Sequence, residues 1–147
     1  MMIKSTLKPV IYFLATVILF NCENESHPDT KDKYLTTPSG LKYKILKKGT
    51  GKPAQNGDEV LIFETTSYRN GTILFSNENN ANPVKVVIGG DQATAAVDEG
   101  LRGMQVGEIR ELVAAPDLVR RKTYPPNVSP DSTLVLKLIL HKILEKY

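Results

Sequence analysis

Apolar residues that recur at every second position, in short runs divided by glycine and asparagine, constrain this chain more than any other feature. The clearest run is Thr133 to Ile143 (TLVLKLILHKI), in which Leu134, Leu136, Leu138 and Leu140 share one face. A spacing of two puts side chains on one side of a pleated strand, so the segment is a half-buried strand. Gly40 to Lys47 repeats the pattern, with Leu41, Tyr43 and Ile45 on one face and lysines on the other. Glu59–Thr65, Thr72–Ser76, Val84–Ile88 and Glu108–Ala114 read as further strands from their β-branched and aromatic content.

The punctuation between these runs is equally specific. Gly49, Gly51, Pro53, Asn56 and Gly57 mark a loop. Asn70-Gly71 predicts a tight primed hairpin turn, because both residues tolerate positive φ. Asn77–Asn82 is a polar loop, and Pro116–Pro130 is a long loop without periodicity. Only Asp91 to Met104 has helical spacing: Ala93, Val97, Leu101 and Met104 form one stripe, with Asp91 as the expected N-cap. Gly100 and Gly103 weaken this helix on propensity, so it should be short and held by packing. Five or six strands and one helix, joined by connections mostly too short for parallel crossovers, predict an α+β domain over residues 40–147. Its form is an antiparallel sheet wrapped around one short α-helix.

Upstream of this domain the chemistry changes. Lys4 and Lys8 precede the uncharged run Pro9–Phe20 (PVIYFLATVILF). Twelve helical residues rise about 18 Å, short of the roughly 30 Å hydrocarbon core of a bilayer. A basic start and a short apolar run are the layout of a secretory signal peptide, expected over residues 1–21. Leu19-Phe20-Asn21-Cys22 resembles a bacterial lipoprotein signal, with Asn21 where a smaller residue is usual. Cys22 is therefore the expected lipidation site, and acyl chains there would hold the protein at a membrane, each buried CH₂ contributing ~0.8 kcal/mol. Residues 22–39 are polar, carry two prolines and read as a tether. The expected location is the bacterial cell envelope, as a membrane-anchored lipoprotein facing the periplasm or the cell surface.

Composition removes several function classes. The single cysteine excludes an intramolecular disulfide and a cysteine-rich metal site. His27 and His141 are too few for a histidine-rich metal centre, and no metal or cofactor is expected. Net charge is +3, with Lys4 and Lys8 outside the domain, so nucleic acid is not the expected partner.

Three blocks of the domain resemble the FKBP family of peptidyl-prolyl cis-trans isomerases, in the family's order. Thr37-Pro38-Ser39-Gly40-Leu41-Lys42-Tyr43-Lys44-Ile45, through Gly49-Thr50-Gly51 to Gly57-Asp58, looks like the opening strand and loop of secreted members. Val97-Asp98-Glu99-Gly100-Leu101-Arg102-Gly103-Met104-Gln105-Val106-Gly107-Glu108 looks like the helix and its turn. Val128-Ser129-Pro130-Asp131-Ser132-Thr133-Leu134-Val135 looks like the entry to the last strand, and Pro116-Asp117 like the start of the family's long loop. The resemblance covers about residues 37–144. It implies a shallow apolar pocket between helix and sheet, and prolyl isomerisation of extracytoplasmic polypeptides as the activity.

The same resemblance marks positions where this chain departs from the family's aromatic pocket. Glu64 stands where a pocket tyrosine is usual, and Val97 where the helix supplies a tryptophan; the chain has no Trp at all. Ala93-Thr94 replaces a Val-Ile pair, and Leu118-Val119-Arg120-Arg121 replaces Tyr-Ala-Tyr-Gly. Leu136 replaces the inward aromatic of the last strand, Phe75 stands near the family phenylalanine, and the following aspartate is missing. The pocket residues implied are thus Glu64, Phe75, Ala93, Thr94, Val97, Leu118, Arg120, Tyr124 and Leu136, with Tyr124 restoring one aromatic.

Alternatives stand beside these roles. Phe75 and Leu136 also read as plain core. Glu64 is desolvated if it faces the pocket, paired if it meets Arg120, and solvated if the strand twists it outward. Phe63 replaces the tyrosine only if the strand slips by one residue, which would turn every side chain over. Arg120-Arg121-Lys122 reads as a solvated loop or as a contact for acidic partners. The alternative functions are a non-catalytic FKBP-like binding module or chaperone subunit of an envelope complex, and a purely structural surface lipoprotein.

Overall fold

A computed structural model of the chain describes residues 33–144. The expected signal peptide over 1–21, Cys22, His27 and most of the tether lie outside those residues. Seven strands and one α-helix follow in the order β1 (Leu35–Thr36), β2 (Lys42–Lys47), β3 (Glu59–Tyr68), β4 (Ile73–Ser76), β5 (Val84–Val87), α1 (Ala95–Leu101), β6 (Ile109–Ala114) and β7 (Leu134–Ile143). A short 3₁₀ turn, Pro116–Val119, follows β6. The strands form one antiparallel sheet in the order β1-β2-β6-β7-β3-β4, and β5 also pairs with β3. The α+β architecture, an antiparallel sheet curled around one helix, is therefore as expected, with seven strands in place of five or six.

The additional strand corrects the domain's start. Leu35 pairs with Tyr43 and Thr36 with Lys42, and the Tyr34 hydroxyl donates to Glu111 on β6. Residues 34–36 thus belong to the sheet, and the expected tether ends before them, not at Ser39. Two residues are too few to show a period, so nothing in the local pattern announces this strand.

Register explains the core. β7 pairs with β6 on one side and β3 on the other, aligning Leu136 with Leu112 and Thr66, and Leu138 with Arg110 and Glu64. Leu134, Leu136, Leu138 and Leu140 all face inward and are buried with Val60, Ile62 and Leu112. Against this face lie Ala96, Val97 and Leu101 of α1, with Met104 just beyond it. The helix packs very close to β6: a Cβ on Gly100 would stand 2.5 Å from Leu112 Cδ1. Glycine is there because backbone must approach side chain, which outweighs its poor helical propensity.

Two local expectations are corrected. The helix spans Ala95–Leu101, not Asp91–Met104, and its N-cap is Thr94, which makes no side-chain capping bond. Its far end is held by tertiary bonds: buried Arg110 donates from Nη1 to the carbonyls of Gly100 (2.9 Å) and Arg102 (3.2 Å). The hairpin after β3 is not a two-residue primed turn. Tyr68 O accepts from Gly71 N, Thr72 O accepts from Tyr68 N, and of Asn70 and Gly71 only Gly71 has positive φ. That is a three-residue loop, a turn followed by a left-handed glycine.

Candidate functional site

The long strand β3 positions the site because its outer edge is shared by two short partners. β5 pairs with Glu59–Ile62 and β4 with Thr65–Ser67, leaving a gap at Phe63 and Glu64. Asn77 fills it. Its Oδ1 accepts from Glu64 N at 2.7 Å and its backbone N donates to Glu64 O at 3.1 Å. The clasp is buried, and it turns the chain out of β4 so that β4, β5 and the segment before α1 surround a hollow.

That hollow is an open cleft of about 530 Å³. Buried Ile62, Val86 and Val97 contribute its apolar surface, with Val97 only 4% exposed. Phe75 is 48% exposed and lines the cleft as a wall. Ala93 and Thr94 border it from the approach to α1, Glu64 from β3, and Arg120–Lys122 from the loop after the 3₁₀ turn.

The structure therefore brings together six of the expected residues: Glu64, Phe75, Ala93, Thr94, Val97 and Arg120. Three others do not line the cleft. Leu136 is fully buried beneath the helix, while Leu118 and Tyr124 are half-buried against the core. Tyr124 still acts on the site indirectly, since its hydroxyl oxygen accepts from Arg121 N at 3.4 Å. Ile62, Val84, Val86, Asp91, Gln92, Arg121 and Lys122 complete the lining. Alternation marks Ile62 and Val86 as inward-facing; for Arg121 and Lys122 the aperiodic loop carries no such signal.

Electrostatics within the cleft are uneven. Glu64 is half-buried, and its Oε1 accepts from Thr66 Oγ1 at 2.6 Å. The possible Glu64–Arg120 pair does not form, because Arg120 bonds Asp117 at 2.6 Å on the exposed surface. Phe63 does not replace the family tyrosine: the register sets it opposite Ile139, and it meets His141 edge-on at 5.5 Å. The loop expected to be solvated is not uniformly so. Arg121 is half-buried, and its Nε is enclosed without a hydrogen-bond partner, as is Thr94 Oγ1.

On the other face of the sheet, two carboxylates are tied down. Burial pushes Glu78 up, but hydrogen bonds from Lys137 (2.7 Å) and Thr65 (2.5 Å) outweigh it and hold its carboxyl below the usual 4.5. Burial likewise pushes Glu111 up, and bonds from Tyr34 and Lys44 bring it below 4.5. These ties link β3 to β7 through Glu78 and β2 to β6 through Glu111, behind the cleft.

A sheet curled around one helix, with a cleft open between them and the protein's own core closed beneath, defines a small single-helix sheet domain with a surface cleft. Residues 50–141 match the family described as FKBP-type peptidyl-prolyl cis-trans isomerase. The peptidyl-prolyl cis-trans isomerase Mip of Chlamydia pneumoniae is 33% identical over 103 residues, covering 70% of this chain and 38% of that protein. The Mip of Chlamydia muridarum is 32% identical over 92 residues, 61% of this chain and 37% of the relative. FK506-binding protein 2 of Yarrowia lipolytica is 31% identical over 107 residues, 72% of this chain and 74% of its own length. In three dimensions FkpA from Escherichia coli superposes with a TM-score of 0.67 at 24% identity, over 76% of this chain and 52% of that one. AtFKBP13 does so with a TM-score of 0.66 at 21% identity, over 76% and 99%. The chain belongs to the FKBP-type peptidyl-prolyl cis-trans isomerase family. It spans less than two fifths of the length of the Mip relatives it matches.

Proposed function

We propose that this chain is a peptidyl-prolyl cis-trans isomerase acting on proline-containing polypeptides, with Phe75, Val97, Ala93, Thr94, Glu64 and Arg120 around the bound segment. The observation that carries the reading is the open, apolar-floored cleft between α1 and β3–β5, walled by an exposed Phe75. An X–Pro amide rotates over a barrier of roughly 18–20 kcal/mol, set by loss of resonance in the twisted state. Uncatalysed, this takes tens to hundreds of seconds. The chemistry needs no nucleophile. An apolar seat for the proline ring and removal of the amide from water both favour the less polar twisted form over the hydrated planar one. Val97 and Ile62 are the seat, and Phe75 flanks it.

The test is the rate of cis-trans exchange in Ala-X-Pro-Phe peptides, with leucine, glutamine and glutamate at X. Catalysis of any of them supports the reading, and no acceleration at high protein concentration removes it.

A second reading has its own observation. Val97 stands where the family supplies a tryptophan and Glu64 where it supplies a tyrosine, so little aromatic surface remains under the substrate. On that reading the domain is a binding module or chaperone subunit of an envelope complex. Peptide binding with no acceleration of exchange distinguishes it.

The chain acts at a bacterial envelope membrane, held there by a lipid on Cys22 after removal of residues 1–21. The bacterial Mip relatives and the short apolar run Pro9–Phe20 support this. Among the described residues, no helix is long and apolar enough to cross a membrane. An inhibitor of lipoprotein signal peptidase should block processing and lipid labelling; processing unchanged by it refutes the anchor.

A further inference from the structure

The wall of the cleft holds two cations, Arg121 and Lys122, that the isomerase reading leaves unused. Where the resemblance sets a tyrosine and a glycine, this chain has Arg120 and Arg121, and both line the cleft together with Lys122. Arg120 is engaged by Asp117. Among the described residues, no ion pair joins Arg121 or Lys122 to an acid, although Glu64 and Asp91 line the same cleft. Arg121 Nε is also buried without an acceptor, and so is Thr94 Oγ1. That nitrogen is enclosed, so the guanidinium would meet an incoming acceptor through its remaining N–H groups, and a substrate that brings a carboxylate supplies the partner both cations lack.

We infer that the cleft selects proline-containing segments with an acidic side chain directly before the proline, read by Arg121 and Lys122. The inference rests on the isomerase reading of the same cleft and adds its substrate class. A carboxylate accepts from a guanidinium in a charge-assisted bond, about twice as strong as a neutral one. Glu64 sets the orientation. Its charge and that of Asp91, both lining the cleft, disfavour an acid beside them, and the 120–122 loop is the side left for it. The proline ring then lies on Val97 and Ile62, with the acid toward the loop.

The experiment measures kcat/KM for acetylated Ala-X-Pro-Phe amides with X as glutamate, glutamine, leucine or lysine, by magnetisation exchange, which needs no coupling protease. Affinities of the same peptides are measured by chemical-shift titration. Glutamate should exceed its isostere glutamine by about fivefold, the scale of one partly exposed ion pair, and lysine should be the poorest. The ratio should fall as salt is raised, because screening weakens the pair. It should approach one in Arg121→Gln. Lys122→Gln, at an exposed position, should lower it in part and guards against misfolding of the first variant.

Glutamine or leucine handled as well as glutamate overturns the inference while leaving the isomerase reading intact. Tighter binding of the glutamate peptide with no acceleration of any peptide overturns the isomerase reading and supports the acidic preference. Equal binding of all four peptides overturns the preference whatever the catalysis.

Discussion

Arg110→Met tests how the floor of the cleft is held in place. Arg110 is 7% exposed and Glu108 4%. They meet through Nε at 2.9 Å and Nη2 at 2.6 Å, both on Glu108 Oε1, while Nη1 bonds the carbonyls at the end of α1. Removing the guanidinium leaves a buried carboxylate whose remaining bond is from Gln105 N to Oε2 at 3.1 Å. It also strips the Gly100 and Arg102 carbonyls of their donor. Breaking a buried pair from one side costs about 3–5 kcal/mol, a large share of a typical ~5–15 kcal/mol. With a urea slope near 1.5 kcal/mol/M, the midpoint should fall by about 2–3 M. Glu108→Gln combined with Arg110→Met removes the stranded charge and should recover at least about half the loss, since replacing both partners is far cheaper than replacing one. The assay is equilibrium urea unfolding of the single and double variants. A loss below about 1 kcal/mol in Arg110→Met, or a double variant no more stable than the single, refutes the reasoning.

Phe75→Ala should lower isomerisation severalfold with the unfolding midpoint nearly unchanged, because the side chain is half exposed; full activity would place the prolyl seat elsewhere. Gly100→Ala gains about 1 kcal/mol of helix propensity but forces Leu112 aside. Overpacking of about 1–3 kcal/mol should win, and thermal unfolding showing a stabilised variant would contradict the close approach. Glu78 and Glu111 have folded values below 4.5, so their contribution is present above that pH and is lost as pH falls through the folded values. Unfolding midpoints measured against pH should show this acid loss, and Glu78→Gln with Glu111→Gln should flatten it; an unchanged acid limb would mean the carboxylates are not tied in solution.

How much was legible depends on whether a residue's role repeats along the chain. The four leucines of β7 declare their face because each confirms the others, and Leu41, Tyr43 and Ile45 do the same at the start of β2 and just before it. The helix was legible as a stripe, but its start was not. Asp91 looks like a cap in isolation, and only the packing of Ala96 and Val97 against the sheet decides that helix begins after Thr94. At Asn70-Gly71 the residue types allow both a two-residue and a three-residue loop, and the bulge between Thr66 and Ser67 selects the longer one. In the site, Leu136 answers to the period of its strand, which makes it core. Arg121 sits in a segment without period, where enclosure depends on what Tyr124 and its neighbours pack against.

This division has a physical consequence for the family. The residues that specify the fold (the β7 leucines, Gly100, the Glu108–Arg110 pair) touch helix, sheet or each other. Most of the residues that distinguish this cleft, Glu64, Phe75, Arg121 and Lys122, are only half-buried or exposed and contribute little to that packing. Exchanging a pocket aromatic for a charge at such a position therefore costs the fold little, whereas truncating Leu136 would cost several kcal/mol. Val97 lies on the boundary, buried like core yet lining the cleft, and it is where this chain gives up its largest ring. On the proposed reading, a small apolar floor with an arginine beside it would still seat a proline. It would lose the broad aromatic surface that accepts any apolar neighbour and gain a charge that discriminates among neighbours.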